Sequence, residues 1–483
     1  MTETREPHYT ENVQDHLQQV QHLLEMQALL EESQQQEMPH AAQRELVDNI
    51  MPQQYLSVLR EKLSSLHPAD VAYILEALPI DQRLLVWDLV KAERDGEILI
   101  EVSDAVRESL IATMSPDELR VAAEQLDTDE IADLAPDLPH AVMRDVFKSL
   151  SVEEREQLRA AMSYPEDAVG ALMDFDMVTI REDVTLEVVS RYLRRFDELP
   201  DHTDQLFIVD RDDRFKGVLP LNRLLVNEPE TEVASLMITE TITLHPDDKA
   251  DQAAQAFERY DLVSAPIVDE DGKLLGRVTV NSVMDFIRAE SESDALNLAG
   301  LREEEDIFAS VWKSAKNRWL WLALNLCTAF FASRVIGNFE GTIEKLVALA
   351  TLMPIVAGIA GNSANQTTTI IIRSLALGQI TPANARRMIG KELAIGALNG
   401  LVWGGVAGLF AYLLYQNTLL GIIMTSAMLL NLLLGAMAGV LIPLTMHRMG
   451  RDPAIGASVM LTAITDSGGF FIFLGLATIF LIN

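Results

Sequence analysis

Cysteine is almost missing. The single Cys327, in a chain of 483 residues, stands in an apolar run. That excludes an intramolecular disulfide framework and a cysteine-rich metal site. Basic residues are scarce beside acidic ones: 38 Lys and Arg face 72 Asp and Glu, a net charge of −34. Such a surface repels nucleic acid and attracts cations. The N-terminal stretch MTETREPHYTENVQDH has no apolar core of the kind a secretion signal needs. The soluble part is therefore expected in the cytoplasm. There is also no P-loop, no Rossmann fingerprint and no nucleophile–base pair, so nothing in the chain reads as an enzyme.

What is present is unevenly spread. Residues 1–300 hold 26 basic and 63 acidic residues, a net of −37, while residues 301–483 hold 12 and 9, a net of +3. Solubility alone needs a net charge on the order of 2–8, so the excess acid calls for another explanation. The chain reads as a multidomain membrane protein. A polar Gln/Glu-rich helix covers 1–40, and an acidic all-α superhelical N-terminal domain covers 41–161. A duplicated α/β region spans 162–280, a connecting helix with its linker 281–312, and an all-α transmembrane domain of five helices 313–483.

In the helical part, apolar residues recur three or four apart, as in Val71, Ile74, Leu75 and Leu78. Its helix starts repeat a capping residue followed by acid: HPAD at 67–70, SPDE at 115–118, DTDE at 127–130, SVEE at 151–154. The duplication is explicit. VGALMDFDMVTI (169–180) is echoed by VASLMITETITL (233–244), and LFIVDRDDRFKGVL (206–219) by APIVDEDGKLLGRV (265–278). The two copies, about 165–230 and 231–285, each predict strand, helix, strand, acidic turn, strand and helix. That order resembles a CBS-domain pair, a dimerising regulatory module. Many such pairs bind adenosine nucleotides through a Thr or Ser and an Asp three residues on. The matching positions here are Pro220 and Arg223, then Thr279 and Ser282. Neither copy keeps that Asp, so a signal other than ATP is expected.

Apolar runs predict spans at about 318–337, 343–377, 387–415, 419–447 and 453–482, each supplying the roughly 20 residues a bilayer crossing needs. Lys313, Lys316 and Arg318, then Arg386, Arg387 and Lys391, then His447, Arg448 and Arg451 fall at alternate ends. By the positive-inside rule the N-terminus is in and the C-terminus out.

The second run breaks its own rule. Between Pro354 and Arg373 it carries Gly358, Gly361, Asn362, Ser363, Asn365, Gln366, Thr367, Thr368 and Thr369. Lipid offers these groups no partners, so they face other helices or a water-filled path. Pro354 and the small residues around it allow a broken helix or close backbone approach. Two acids lie within the runs. Asp466 stands deep in the last, in LTAITDSGGF, with no basic residue in that run, and Glu392 opens the third beside Arg387 and Lys391. A charge at bilayer depth costs about 2.5–3.5 kcal/mol on the mildest scale. Asp466 beside Thr462, Thr465, Ser467, Gly468 and Gly469 therefore reads as a cation site on a water-filled path. Oxygen ligands without a Cys or His cluster point to a hard cation.

The motifs P-x(6)-GN-x-x-NQ at 354–366 and T-D-x-x-G-F at 465–470, with this domain order, resemble the MgtE family of magnesium channels over nearly the whole chain. The resemblance implies a homodimer in the bacterial inner membrane with its pore at the dimer axis, lined by the second and fifth spans. It implies that Asp466 binds hydrated Mg²⁺, with Gly361, Asn365 and Glu392 nearby. It also implies closure by cytosolic Mg²⁺, bridging Asp129 and Asp133 of the helical domain, Asp251 and Asp261 of the second CBS copy, Asp285, Glu290 and Asp294 on the connecting (plug) helix, and Asp452. Ser109 and Ser282 depart from the acids the family has there. Two other readings compete: a secondary carrier of Co²⁺, Mn²⁺ or Mg²⁺, and a CBS sensor that the spans merely anchor.

Overall fold

The computed structural model describes residues 13–35, 51–301, 306–376, 379–380 and 382–482. It divides into two compact units: Met1–Arg288 with Glu305–Ala309, and Ala289–Glu304 with Ser310–Asn483.

The first unit begins with helices α1 (Val13–Gln35), α2 (Met51–Ser65), α3 (Pro68–Glu76), α4 (Ile80–Trp87), α5 (Asp95–Glu101), α6 (Asp104–Ile111), α7 (Pro116–Ala123), α8 (Thr128–Leu134), α9 (His140–Ser149) and α10 (Val152–Ala161). The expected starts are real caps. Ser115, Asp127 and Ser151 each form a reciprocal capping box with Glu118, Glu130 and Glu154, and the His67 side chain accepts from the Ala69 amide. The acids thus satisfy first-turn amides that a helix leaves unpaired. One apolar core runs from Val20 and Leu24 through Leu59, Ile74, Ile98 and Leu110 to Val146 and Leu158.

Within that core Arg83 is completely buried. Its guanidinium donates to the carbonyls of Leu75 and Leu78, to Ser109 Oγ at 3.3 Å, and in a fork to Asp306 Oδ2 at 2.6 Å and Oδ1 at 3.0 Å. The Asp306 side chain is itself only 8% exposed. Fork geometry with every donor used is what makes a buried ion pair tolerable.

The duplicated region gives β1 (Thr179–Arg181), α11 (Leu186–Leu193), β2 (Gln205–Val209), β3 (Phe215–Pro220) and α12 (Leu221–Val226) in the first copy. The second gives α13 (Val233–Leu236), α14 (Ala250–Tyr260), β4 (Ser264–Val268), β5 (Leu274–Thr279) and α15 (Val280–Ala299), its first strand reduced to a parallel bridge, Leu244 to Ile267. The two hairpins close alike. Asp210 Oδ1 accepts from the amides of Asp212 and Arg214, and Asp269 Oδ1 from those of Asp271 and Lys273. The Thr279 and Ser282 hydroxyls lie 2.9 Å apart, while Arg223 donates to the Leu236 carbonyl.

The second unit holds α16 (Val311–Gly337), α17 (Glu340–Lys345), α18 (Ala348–Ala376), α19 (Pro382–Tyr415), α20 (Thr418–Arg448) and α21 (Ala457–Ala477). Among the described residues α16, α19, α20 and α21 are long and apolar enough to cross a membrane. α18 has 29 residues and runs unbroken through Pro354, so the helix break that proline allowed is not made. Its polar middle sets it apart from the other four. α18 packs on α20 and α21, and α16 packs on α21. The apolar core gathers at one end, with Leu349, Leu352, Met353, Met424, Met428, Phe473 and Leu474. α19 meets α20 through glycines four apart: a β-carbon at Gly400 or Gly408 would collide with α20, and one at Gly396 or Gly404 would be tight against it.

A β-carbon at Gly408 would sit 2.5 Å from the Gly421 carbonyl, whereas one at Gly405 meets nothing within 4 Å. Gly408→Ala should therefore lower the thermal midpoint of the detergent-solubilised chain by several degrees, about 1–3 kcal/mol of overpacking. Gly405→Ala should leave it unchanged or raise it. Equal midpoints for the two variants would show that the helices do not pack along this stripe.

Candidate functional site

α18 divides its polar residues between two faces. Thr367 and Thr368 are buried: Thr367 Oγ1 donates to Glu392 Oε2 at 3.0 Å, and Thr368 Oγ1 to the Gly439 carbonyl at 3.2 Å. Asn362, Gln366 and Thr369 lie exposed on the protomer's outer face, and Gly361 and Asn365 are half-buried between the two. One helix therefore uses the Thr367 and Thr368 hydroxyls as interhelical bonds and leaves the Asn362 and Gln366 amides outside.

Asp466 is half-buried on α21, and its carboxylate makes no hydrogen bond or ion pair with the described residues. Its neighbours are built in. Thr465, fully buried, donates to the Leu461 carbonyl, and its hydroxyl stands 3.5 Å from where a β-carbon at Gly361 would be. The structure thus brings Asp466 and Gly361 to one level of the bundle. Glu392 does not open its helix, as the sequence implied, but lies three turns inside α19, 4% exposed. Its Thr367 partner is about 9 Å along α18 from Gly361, at 1.5 Å per residue. Lys391 Nζ is 4.0 Å from its Oε1, while Arg387 is not its partner. The sequence reading missed Asn431, hidden in the run MLLNLLLG, which is fully buried and donates to Val356 O on α18 and Thr465 O on α21.

The soluble unit gathers acids around α8. Asp129 stands in the first turn of α8, close to Asp174 of the first CBS copy. Asp174 is paired to buried Arg277 at 2.8 Å, and Arg277 also donates to the Asp201 carbonyl. Burial, then Asp174, pushes the Asp129 carboxyl up to about 7. Burial also raises Asp133 to about 6, against the pull of Arg107, with Glu130 and Asp285 adding to the rise. Asp133 keeps solvent access, so its shift weighs less than that of Asp129. Burial raises Asp127 with help from Asp176 and Asp201, and Glu130 with help from Asp127 and Glu97. Burial raises Asp285 too, against Arg288.

Of the acids singled out in the sequence, Asp133 comes near Asp285, while Asp129 comes near Asp174. Asp251 and Asp261 are exposed at the start and the C-cap of α14, and Asp452 caps a turn through the Ala454 amide. Glu290 and Asp294 lie on the second-unit part of α15. The sequence reading took DTDE at 127–130 as a cap and passed over Asp174. The alternating acids of MDFDM were the signal for it. Among the described residues no three His, Cys, Asp or Glu converge closely enough to hold a bare metal ion.

The raised carboxyls fix a sign. Asp129, at about 7 here against an ordinary 3.8, binds its proton more tightly folded than unfolded. Its ionisation therefore removes stability as the pH rises through about 7. In chelator, the soluble unit of the full chain should melt higher at pH 6 than at pH 8. Asp129→Asn should raise the pH 8 midpoint and flatten that difference. A midpoint that climbs from pH 6 to 8 would contradict the crowding of these acids.

Known proteins place the same parts in the same order. The family described as divalent cation transporter MgtE matches residues 353–476, the MgtE intracellular N domain matches 66–167, and the CBS domain matches 169–227 and 233–289. The chain is 30% identical over 430 residues to the magnesium transporter MgtE of Thermus thermophilus, covering 88% of this chain and 95% of that protein. It is 26% identical over 422 residues to the magnesium transporter MgtE of Bacillus subtilis, covering 87% and 94%. A solved structure described as the cytosolic domain of the Mg²⁺ channel MgtE in complex with ATP is 32% identical, with a TM-score of 0.44, over 48% of this chain and 94% of that one. With its helical N domain, tandem CBS copies and polar-cored helix bundle all matched, the chain belongs to the MgtE family.

Proposed function

We propose that this protein is a Mg²⁺ channel of the bacterial inner membrane, a transporter rather than an enzyme, which takes up Mg²⁺ and is closed by cytosolic Mg²⁺. The observation that carries the reading is Asp466, a carboxylate within an apolar helix bundle that no described group neutralises. An intramembrane acid left without a partner of its own chain takes its counter-charge from what passes it. The relatives named as magnesium transporters support the identity of the ion. Mg²⁺ sheds its water reluctantly and is held through few carboxylates. One acid per chain suits a hydrated ion, with Gly361 and Asn365 offering the close approach beside it.

The exposed amides of α18 support a second copy of the chain. Asn362 and Gln366 face outward from the protomer, and lipid has nothing to offer them. A homodimer that turns these faces toward one another makes a polar path, with Asp466 and α18 from each copy as its wall. α18 then crosses with the other four as the second span in chain order, since 29 residues reach about 43 Å at 1.5 Å each, beyond a core of about 30 Å. The basic residues at alternate helix ends support a soluble unit in the cytoplasm and a C-terminus outside.

The crowded acids at α8 support closure by the transported ion. Asp129 with Asp127 and Glu130 faces Asp174, and Asp133 faces Asp285; Arg277, Arg107 and Arg288 offset part of this charge, and a divalent ion would relieve the repulsion that is left. The acids supply only oxygen, which fits a hard cation. No three of them share a bare ion site, which suits an ion that keeps its waters. In this reading Mg²⁺ would be held by Asp129 and Asp133 with Asp174 and Asp285, further acids of α14 and α15 adding at other contacts. No ATP is needed for it.

Asp466→Ala should abolish Mg²⁺ uptake into proteoliposomes while the chain still assembles. Normal uptake by this variant would sink the pore assignment. Removing residues 1–160 should leave conduction intact and weaken closure by millimolar internal Mg²⁺. A truncated protein inhibited as fully as the whole one would place sensing in the CBS pair and connecting helix instead. Flux that reverses with a pH gradient rather than with the Mg²⁺ gradient would mark a proton-coupled carrier.

A further inference from the structure

Asn431 is the one carboxamide in the middle of α20, flanked by LL and LLLG. It is 0% exposed. Its Nδ2 donates to the Val356 carbonyl on α18 at 3.0 Å and to the Thr465 carbonyl on α21 at 3.1 Å. Both Nδ2 donors are thereby used, and Oδ1 is buried with no partner. The amide lies against Gly469, where any β-carbon would collide with Nδ2. A buried amide with an unpaired oxygen is a cost that a leucine would avoid, and the helix around it is otherwise apolar.

Where the two bonds land is informative. Thr465 is the residue before Asp466, and Val356 lies between Pro354 and Gly361 on α18. Helix carbonyls already bonded within their own helix keep a second lone pair. Asn431 uses that lone pair on both helices at once. It fixes the rotation of α21 at the residue next to the acid, and ties it to the helix that carries the polar stretch. Rotation matters here because a side-chain end lies about 5–6 Å from its helix axis. A turn of roughly 20° would move the Asp466 carboxylate by about 2 Å on that radius, far outside the tolerance of an ion site.

We propose that Asn431 is a positioning residue for permeation, which sets the Asp466 carboxylate through the Thr465 carbonyl, and that Gly469 is small in order to seat its amide. This rests on the reading of Asp466 as the ion-binding carboxylate. Thr425 provides the contrast. Its Oγ1 donates to the Gly404 carbonyl at 3.0 Å and joins α20 to α19, with no hydrogen bond to α18 or α21.

The test is Mg²⁺ uptake by the full chain in proteoliposomes, read as maximal rate and half-saturating concentration, with thermal midpoints measured alongside. Asn431→Leu should raise the half-saturating concentration about tenfold, the usual scale for losing a group that orients a ligand. Gly469→Ala should do the same, and the double variant should be no worse than either single one. Thr425→Val should lower the thermal midpoint without moving the half-saturating concentration. If Asn431→Leu does not assemble, Asn431→Ser, which keeps one donor, should show the same rise. A half-saturating concentration that stays at the wild-type value in the assembled Asn431 variant, with only stability lost, would reduce Asn431 to helix packing and overturn the proposal. Normal uptake by Asp466→Ala is a separate result, and would remove the ion site itself.

Discussion

Everything in the membrane unit answers to one constraint: a carboxylate lies among apolar helices, and the described residues supply no cation beside it. Asp466 has Thr465, Ser467 and glycines for company. The charge is affordable only if water or a passing ion reaches it. That requirement explains why the bundle is not uniformly packed. Its large apolar side chains collect at one end around Met424 and Phe473, while beside the polar residues the core shrinks to Ala364, Ala438 and Leu461. Small residues there let backbones approach and leave space that large side chains would fill.

The soluble unit solves the opposite problem. Its acids are brought close although each repels the next, and the fold holds them there with apolar packing below and Arg277 and Arg107 at the margins. Repulsion stored in this way is relieved by protons or by a divalent ion. The two differ in their dependence on concentration, and a few weak ion contacts acting together give a steeper response than one.

Local chemistry was legible in the sequence. Caps, acidic hairpin turns and the duplicated strands depend on residues within a few positions of one another, so Ser115, Asp127, Asp210 and Asp269 could be read directly. Asp466 was legible because a charge in an apolar run has few uses. Long-range pairing was not. Nothing near residue 129 says that it will face Asp174 rather than Asp251, and nothing in a leucine run says that Asn431 reaches two other helices. The proline at 354 does not break its helix: it stands past the first four free amides of α18, so the helix runs on with one i→i−4 bond missing. The glycine stripe on α19 could have been found by counting in fours.

The ion pair between Arg83 and Asp306 bears on where this protein can be cut. The sequence suggests ending a soluble piece soon after the second CBS copy, before the linker. Such a piece would leave a guanidinium at the centre of the helical core with its fork of carboxylate oxygens gone, and an uncompensated buried charge is among the costliest defects a core can carry. The short stretch around Asp306 belongs to the N-terminal domain as much as any of its helices does, although it stands 223 positions along the chain from Arg83. A fragment meant to report the behaviour of the first unit should therefore run through Ala309.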